Sequence, residues 1–453
     1  MEHLNIEENL KLGKALPAPQ ALAIKGVSMV AVDCFDELEV RPRHERQEYY
    51  NRKLQEQIQY AYDHATAMRA RLDQVGIKPS DVRTVRDMMK IAITKKDELI
   101  DLRKKNPPFG GLLGIPREKL QKIFMSPGPI YDFGSIDASF YRRFHRAFYA
   151  AGFRKGDLVV NCNSYHMVPS GHWSDYSLML FGAIVIPMGV GNTELQVQVL
   201  RDMQVTGWMG YPSFLMAILS KAEELGYDIR RDFALRKTLP GGEVGGAAIR
   251  KIVEEKYGIK STDIYPTADA GIIAYECPQK SGMHIAEEIL VEIIDPIAGK
   301  QLGPGEPGEV VVTPLDNTTY PLIRFGTGDL SSLVEEPCPC GRTSLKLSRI
   351  LGRVGEAVQA RGMFIHPRGV GEVAARFPAI SKYQVSVSRP QVNKDKLVLK
   401  IELANGAIDK GKLTAEVEKT FQDICRLRLD EVQIVSKGTI PDGAKTVLDE
   451  RTY

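Results

Sequence analysis

Three segments decide the reading of this chain: YPLIRFGTGDL (Tyr320–Leu330), CPCGR (Cys338–Arg342) and RILGRVGEAVQARGMFIHP (Arg349–Pro367). The first runs into a Gly-Thr-Gly turn and ends in an acid, Asp329. The second holds two cysteines one residue apart. The third is a connector rich in Arg and Gly (Gly352, Arg353, Gly355, Arg361, Gly362), and the chain is patterned differently on its two sides.

Upstream, residues 41–105 are charge-rich, with apolar residues at helical spacing (Leu54, Ile58, Tyr62; Met88, Met89, Ile91), which predicts a helical entry region. Pro107, Pro108, Gly110 and Gly111 break it. Next, DLVVNC, GAIVIPMGV and ALRKTLPGGE read as strands entering turns, and SFLMAILSKAEELG and GGAAIRKIVEEKYG as helices between them. That alternation predicts a parallel-sheet α/β domain. ILVEIIDPIAGKQLGPGEPGEVVVT predicts a hairpin-rich β subdomain. Beyond the connector, KYQVSVSRP, KLVLKIEL and DEVQIVSKG read as strands and KLTAEVEKTFQDICRLRL as an amphipathic helix, giving a small α+β domain. The expected division is 1–105, 106–352 and 353–453.

Length and composition bound the function. A chain of 453 residues exceeds one ordinary core. With 43% apolar and 26% charged residues and a net charge of +3, it has the composition of a soluble globular protein and no charged tail that would argue for nucleic acid. The acidic start MEHLNIEENLKLGK is unlike a secretory signal, and the best apolar window, LMLFGAIVIPMGV, is cut by Gly182 and Pro187. A cytoplasmic protein without membrane attachment is expected. Six cysteines in so long a chain make no disulfide framework; a clustered subset reads as metal-binding, and Cys34, Cys162 and Cys425 as core or surface cysteines.

From about residue 105 onward the pattern resembles the AMP-forming acid–CoA ligases, in the phenylacetate–CoA ligase branch. The motifs that carry the likeness are YPLIRFGTGDL, LPGGEVGG, DIYPTADAG, the Gly-Arg connector and the terminal GTIPDGAK. The resemblance implies a large adenylate-forming domain with parallel-sheet and β subdomains and a small mobile tail. It implies ATP, Mg²⁺ and coenzyme A as cofactors, and a small carboxylic acid as substrate. A homodimer is among the expected assemblies.

Residue by residue, the resemblance makes Asp329 the acceptor for the ribose hydroxyls, although an acid there also suits a turn cap. It makes Tyr265 the aromatic flanking the nucleotide, and Gly241, Gly242 and Glu243 the adenine-lining segment. Asp269 falls where the family places a Glu that holds Mg²⁺; it is one methylene shorter, and Ala268 replaces the usual hydroxyl residue. Lys445 matches the mobile lysine that bridges carboxylate and α-phosphate. The phosphate loop departs most from the family. FMSPGPIYDFG keeps Ser126 and Gly128, but Pro127 and Pro129 each remove an N–H donor and no lysine follows.

In NCNSYHMVPSGHW, where the family forms its acyl pocket from glycines, this chain has Tyr165, His166, Ser170 and His172. Larger polar side chains shrink the pocket and offer hydrogen bonds, which predicts a small, branched or 2-hydroxylated acid. Tyr211 is assigned to the substrate side. Arg353 and Gly355 mark the core-to-tail connector, with Gly355 at the hinge, where glycine absorbs a large backbone change. The resemblance also assigns Cys277, His284, Cys338 and Cys340 to a closed structural Zn²⁺ site. The alternatives are phenylacetate or another aryl acid as substrate, transfer to a carrier-protein thiol, and a non-catalytic nucleotide-binding homologue.

Overall fold

The computed structural model describes residues 32–126, 130–135, 137–243, 246–354, 358–360, 363–365, 367–391, 394–404, 409–425 and 427–451. Leu54, Ile58 and Ala61 are buried at helical spacing, so helix α1 (Arg43–His64) lays one apolar stripe on the core. Helices α2 (Thr66–Gln74) and α3 (Lys96–Lys105) follow. Between them, the Met88–Ile91 run, which its spacing predicts as helix, forms a 3-10 turn over Val85–Lys90. The Asp87 carboxylate accepts from the Arg83 and Thr84 amides at 3.1 and 2.9 Å and closes the chain into that tighter turn.

Strands β1 (Ile123–Ser126) and β2 (Ile130–Phe133) pair antiparallel as a hairpin. The parallel sheet comes next, with α4 (Ala138–Ala150), β3 (Leu158–Asn161), α5 (Pro169–Phe181), β4 (Ile184–Pro187), α6 (Thr193–Asp202), β5 (Gly207–Gly210), α7 (Pro212–Glu224), β6 (Lys237–Pro240), α8 (Gly246–Tyr257) and β7 (Lys260–Ser261). Its order is β4-β3-β5-β6-β7. Adjacent residues of β3 feed opposite cores. Val159 packs with the aromatic cluster of Phe140, Phe144, Phe148 and Trp173, and Val160 packs with Val197, Leu200 and Leu215. Apolar contact on both faces is what a parallel sheet covered by helices requires.

Two antiparallel sheets follow, built from β8 (Ile264–Thr267), β9 (Gly271–Glu276), β10 (Met283–Ile285), β11 (Ile289–Ile294), β12 (Gly308–Pro314), β13 (Phe325–Ser331), β14 (Leu333–Val334), β15 (Lys346–Leu347) and β16 (Gly352–Arg353). Their orders are β14-β15-β10-β9-β8 and β11-β12-β13-β16. The hairpin expected across the PGEPGE turn is β11–β12, in register from Ile289↔Pro314 to Ile294↔Glu309. Beyond β17 (Val358–Ala360) and β18 (Met363–Ile365), helices α9 (Pro367–Ala375) and α10 (Lys410–Cys425) pack on the sheet of β19 (Ile380–Gln391), β20 (Lys394–Leu403), β21 (Glu431–Val435) and β22 (Val447–Asp449). This tail has its own apolar core, including Val385, Leu399, Val417 and Phe421. Among the described residues no helix is long and apolar enough to cross a membrane.

Buried ion pairs fasten the segment before α1 and the start of α1 to the body. Arg146 reaches Asp36 at 2.8 Å and Glu288 at 2.5 Å, Arg46 reaches Glu287 at 2.8 Å, and Arg342 reaches Glu39 at 2.5 Å. Removing one side of such a pair leaves a buried charge uncompensated. Arg146→Ala should therefore lower the unfolding free energy by about 3–5 kcal/mol, read from urea denaturation. A loss below about 1 kcal/mol, the range of exposed pairs, would show that the clasp contributes little.

Candidate active site and metal cluster

Asp329 lies on β13 just after Gly328, whose φ of +77° makes the turn that presents it. Directly across the ladder stands Arg353 of β16, with Nε 3.2 Å from Asp329 Oδ1. From β8, the buried Tyr265 hydroxyl donates to Asp329 Oδ2 at 2.9 Å and lies 3.1 Å from Thr327 Oγ1. Burial pushes the Asp329 carboxyl above its ordinary value, while the Tyr265 hydrogen bond and the Arg353 charge oppose that shift. Burial, reinforced by the charge of Asp329, pushes the Tyr265 phenol well above its ordinary range, so it remains a donor. Three predicted residues, Asp329, Tyr265 and Arg353, are thus in direct contact.

The adenine-lining candidates gather at the carboxyl end of β6. The Gly241 amide donates to Gly210 O at 3.1 Å, and a Cβ at Gly241 would meet Ile264 Cγ1 at 2.8 Å. A Cβ at Gly242 would stand 3.2 Å from the Tyr211 ring, so that ring lies against this turn. Glu243 caps the neighbouring helix instead, accepting from the Ser213 amide at 2.9 Å and from its hydroxyl at 2.5 Å. Ser126 ends β1, paired with Ile130. Pro127, Gly128 and Pro129 lie outside the described residues, as does Gly355.

Asp269 sits in the turn between β8 and β9 and is 2% exposed. Lys96 Nζ approaches its Oδ2 to 3.3 Å. Burial pushes the Asp269 carboxyl up, against the charges of Lys96 and, to a lesser extent, Arg103. Nothing at Lys96 advertises a site in the sequence. It is one lysine of a charge-rich run, brought here only because Thr94 pairs with β13. Lys445 is exposed on the loop before β22, where its carbonyl accepts from Gln384 Nε2 at 2.9 Å. Among the described residues no hydrogen bond or ion pair joins it to Asp269 or Asp329.

The loop expected to form the acyl side folds on itself at the end of β3. Asn161 Nδ2 donates to the Tyr165 hydroxyl at 2.8 Å and to Gly171 O at 2.9 Å, and the Tyr165 hydroxyl donates to Asp175 Oδ1 at 3.1 Å. His172 Nε2 lies 2.9 Å from Tyr165 O, and a carbonyl only accepts, so that nitrogen carries the proton. Gly171 is required here, because a Cβ would meet Ser164 O at 2.5 Å. The Ser170 hydroxyl donates to Ser164 O at 3.4 Å, and the His172 ring packs 5.6 Å from Phe124 of β1. Tyr165, Ser170 and His172 therefore share one network, whereas His166 is exposed and stands apart from it. Asn161 and Asp175, which hold the network together, escaped the sequence reading because neither belongs to a spaced motif.

Cys277 follows β9, His284 lies on β10, and Cys338 and Cys340 occupy the loop between β14 and β15. Their ligand atoms all fall within 4.8 Å of one another. Cys277 and Cys338 Sγ are 3.6 Å apart, and Cys340 Sγ is 3.4 Å from His284 Nε2. A tetrahedral zinc with sulfur ligands at about 2.3 Å sets ligands apart by about 3.8 Å, so the spacing fits. His284 Nδ1 lies 3.2 Å from Ser344 Oγ, a contact that leaves Nε2 facing the cysteines. A hydrogen bond from Cys277, aided by His284, pulls the Cys340 thiol down and favours one thiolate in the cluster.

The chain's likeness to known proteins agrees with this arrangement. Residues 362–451 match the family model for the AMP-binding enzyme C-terminal domain. A phenylacetate–coenzyme A ligase of Thermus thermophilus is 30% identical over 396 residues, 85% of this chain and 84% of that protein. One from Escherichia coli K12 is 29% identical over 431 residues, 91% and 96% of the two chains. Among solved structures, an open conformation of 2-hydroxyisobutyryl-CoA ligase in complex with 2-HIB-AMP and CoA superposes with a TM-score of 0.82 at 25% identity, covering 91% of this chain and 93% of that one. An acid braced by a phenol and a guanidinium, a tail matching a known domain and this extent of identity lead to one conclusion: the chain belongs to the phenylacetate–CoA ligase family of AMP-forming acid–CoA ligases.

Proposed function

We propose that this protein activates a small carboxylic acid, branched or 2-hydroxylated, through its acyl-adenylate to the CoA thioester. The observation that carries the substrate reading is the Asn161–Tyr165–Asp175 network beside His172. It lines the acyl side with fixed polar groups where an aryl pocket would want apolar surface. A second reading, phenylacetate or another aryl acid, is favoured by the names of the curated relatives.

In the first step a carboxylate oxygen attacks the α-phosphorus of ATP. The bond to the bridging oxygen breaks and pyrophosphate leaves with its electron pair. Asp329 accepts from the ribose hydroxyls, and Arg353 and Tyr265 hold its carboxylate in place. Lys445 supplies positive charge between carboxylate and α-phosphate as the transition state forms. Mg²⁺, when bound, would neutralise phosphate charge near Asp269. In the second step the tail rotates about the connector at Gly355 and carries Lys445 away. The CoA sulfur then attacks the acyl carbon, AMP leaves, and the thiol proton passes to solvent. The swing is supported by structures of one related enzyme: its open form matches this chain at a TM-score of 0.82 and its thioesterification state at 0.66, at the same identity. The cytoplasm is the proposed location, and a free small acid the proposed partner.

Three outcomes are expected. Steady-state AMP formation with CoA should be at least about tenfold more efficient (kcat/KM) with 2-hydroxyisobutyrate than with phenylacetate, because a site built to bond a hydroxyl discriminates on it; the reverse order would select the aryl reading. Lys445→Ala should slow adenylation by about 100- to 1000-fold and leave thioester formation from a supplied acyl-adenylate within a few-fold; unimpaired adenylation would remove Lys445 from the mechanism. Elemental analysis should find about one zinc per chain, the content of a closed four-ligand site, lost in Cys338→Ser together with a drop in thermal midpoint. A metal-free protein with an unchanged midpoint in that variant would make the four residues an ordinary buried cluster.

A further inference from the structure

We infer that Lys96 is a phosphate-binding residue of the nucleotide site, its ammonium held by Asp269 and presented to the polyphosphate of ATP. The inference rests on the nucleotide-site reading above and adds a residue to it from the helical entry region.

The need comes from the hairpin. From Ile123 to Phe133 the chain has neither lysine nor arginine, and Pro127 and Pro129 remove two amide donors. A triphosphate brings several negative charges that must meet a cation elsewhere. Lys445, on the tail, is assigned to the carboxylate and α-phosphate, so beside Mg²⁺ the leaving pyrophosphate still has no assigned side-chain cation.

Lys96 meets that need by position. It opens α3 two residues after Thr94, and Thr94 is stitched into the start of β13. The Thr94 amide donates to Arg324 O at 2.7 Å, the Gly326 amide donates to Thr94 O at 3.0 Å, and the Thr94 hydroxyl donates to Ile323 O at 2.8 Å. The same strand carries Asp329 three residues beyond Gly326. Lys96 is thereby fixed to the element that presents the ribose acceptor. Its ammonium stands 3.3 Å from Asp269, and its charge favours the ionised form of Asp329 as well.

The Lys96–Asp269 pair is also lopsided. The Asp269 side chain is fully buried, whereas that of Lys96 keeps 30% of its surface open. Among the described residues neither Asp269 oxygen makes a hydrogen bond, and the 3.3 Å approach of Lys96 is the main charge that balances the acid. An ammonium has three donors. With its charge beside Asp269 and 30% of its side chain open, donors remain for phosphate oxygens. In this arrangement Asp269 acts as a positioning residue for Lys96.

The test compares ligands with and without phosphates. For wild type, Lys96→Ala, Lys96→Gln, Lys96→Arg and the neighbouring control Lys95→Ala, the dissociation constants of ATP and adenosine are measured by calorimetry, and thermal midpoints are recorded. Loss of one charged hydrogen bond should weaken ATP by about 10- to 100-fold in Lys96→Ala and Lys96→Gln, leave adenosine within twofold, and spare Lys95→Ala. Lys96→Arg, which keeps the charge, should retain most ATP affinity and fold even if the neutral variants do not. In that event, wild-type ATP binding weakened by competing pyrophosphate and equally so in Lys96→Arg is the supporting result. ATP and adenosine weakened alike, or ATP unaffected while only the midpoint falls, would make the pair purely structural and overturn the proposal. A wild type that forms no AMP with any acid would instead defeat the functional reading on which it rests.

Discussion

The carboxylate of Asp329 is the joint on which the site depends. Three strands from two sheets meet there: β13 carries the acid, β8 supplies the Tyr265 hydroxyl, and β16 supplies the Arg353 guanidinium. Burial alone would favour the neutral acid, which would donate to a ribose diol as well as accept from it. The phenol and guanidinium both favour the ionised form. Arg353 lies two residues before Gly355, so the guanidinium that braces Asp329 sits beside the proposed hinge. The proposed nucleotide contact and the proposed tail movement are therefore adjacent in the chain.

The rest of the body keeps that joint in register. The parallel sheet places Gly241 and Gly242 at the end of β6, and the Gly241–Ile264 bridge carries that sheet to β8 and Tyr265. From the other side, Thr94 bonds to the start of β13, so the entry helices are structural members of the site. Buried arginine–carboxylate pairs then lock the segment ahead of those helices onto α4 and the Cys/His loop. Such pairs are weak sources of net stability but costly to break singly.

What was legible in the sequence follows from how local the signal is. The strand–turn–helix alternation of the parallel sheet and the PGEPGE hairpin were readable, because periodicity and turn chemistry reside in neighbouring residues. The run Met88–Ile91 misled because Asp87 closes a tighter turn than its spacing suggests. Asp329, Tyr265 and Arg353 were proposed from motifs, and the structure brings Tyr265 and Arg353 against Asp329. Lys96, Asn161 and Asp175 were not singled out: Lys96 meets Asp269 through long-range pairing, and Asn161 and Asp175 bond across a folded loop that leaves no spaced pattern. Asp269 was read as a metal-facing acid from its motif; its burial against Lys96 is a tertiary property that the motif does not encode.

The central claim is that this chain makes an enzyme-bound acyl-adenylate from ATP and a small acid. A single-turnover experiment tests it most directly: enzyme, ATP, Mg²⁺ and 2-hydroxyisobutyrate are mixed without CoA, quenched, and examined by mass spectrometry, and CoA is then added to a parallel sample. The account predicts acyl-AMP at close to one equivalent per site, converted on CoA addition to acyl-CoA and AMP. Formation of ADP with an acyl phosphate, or no acyl-AMP with any hydroxy, branched or aryl acid, would contradict it.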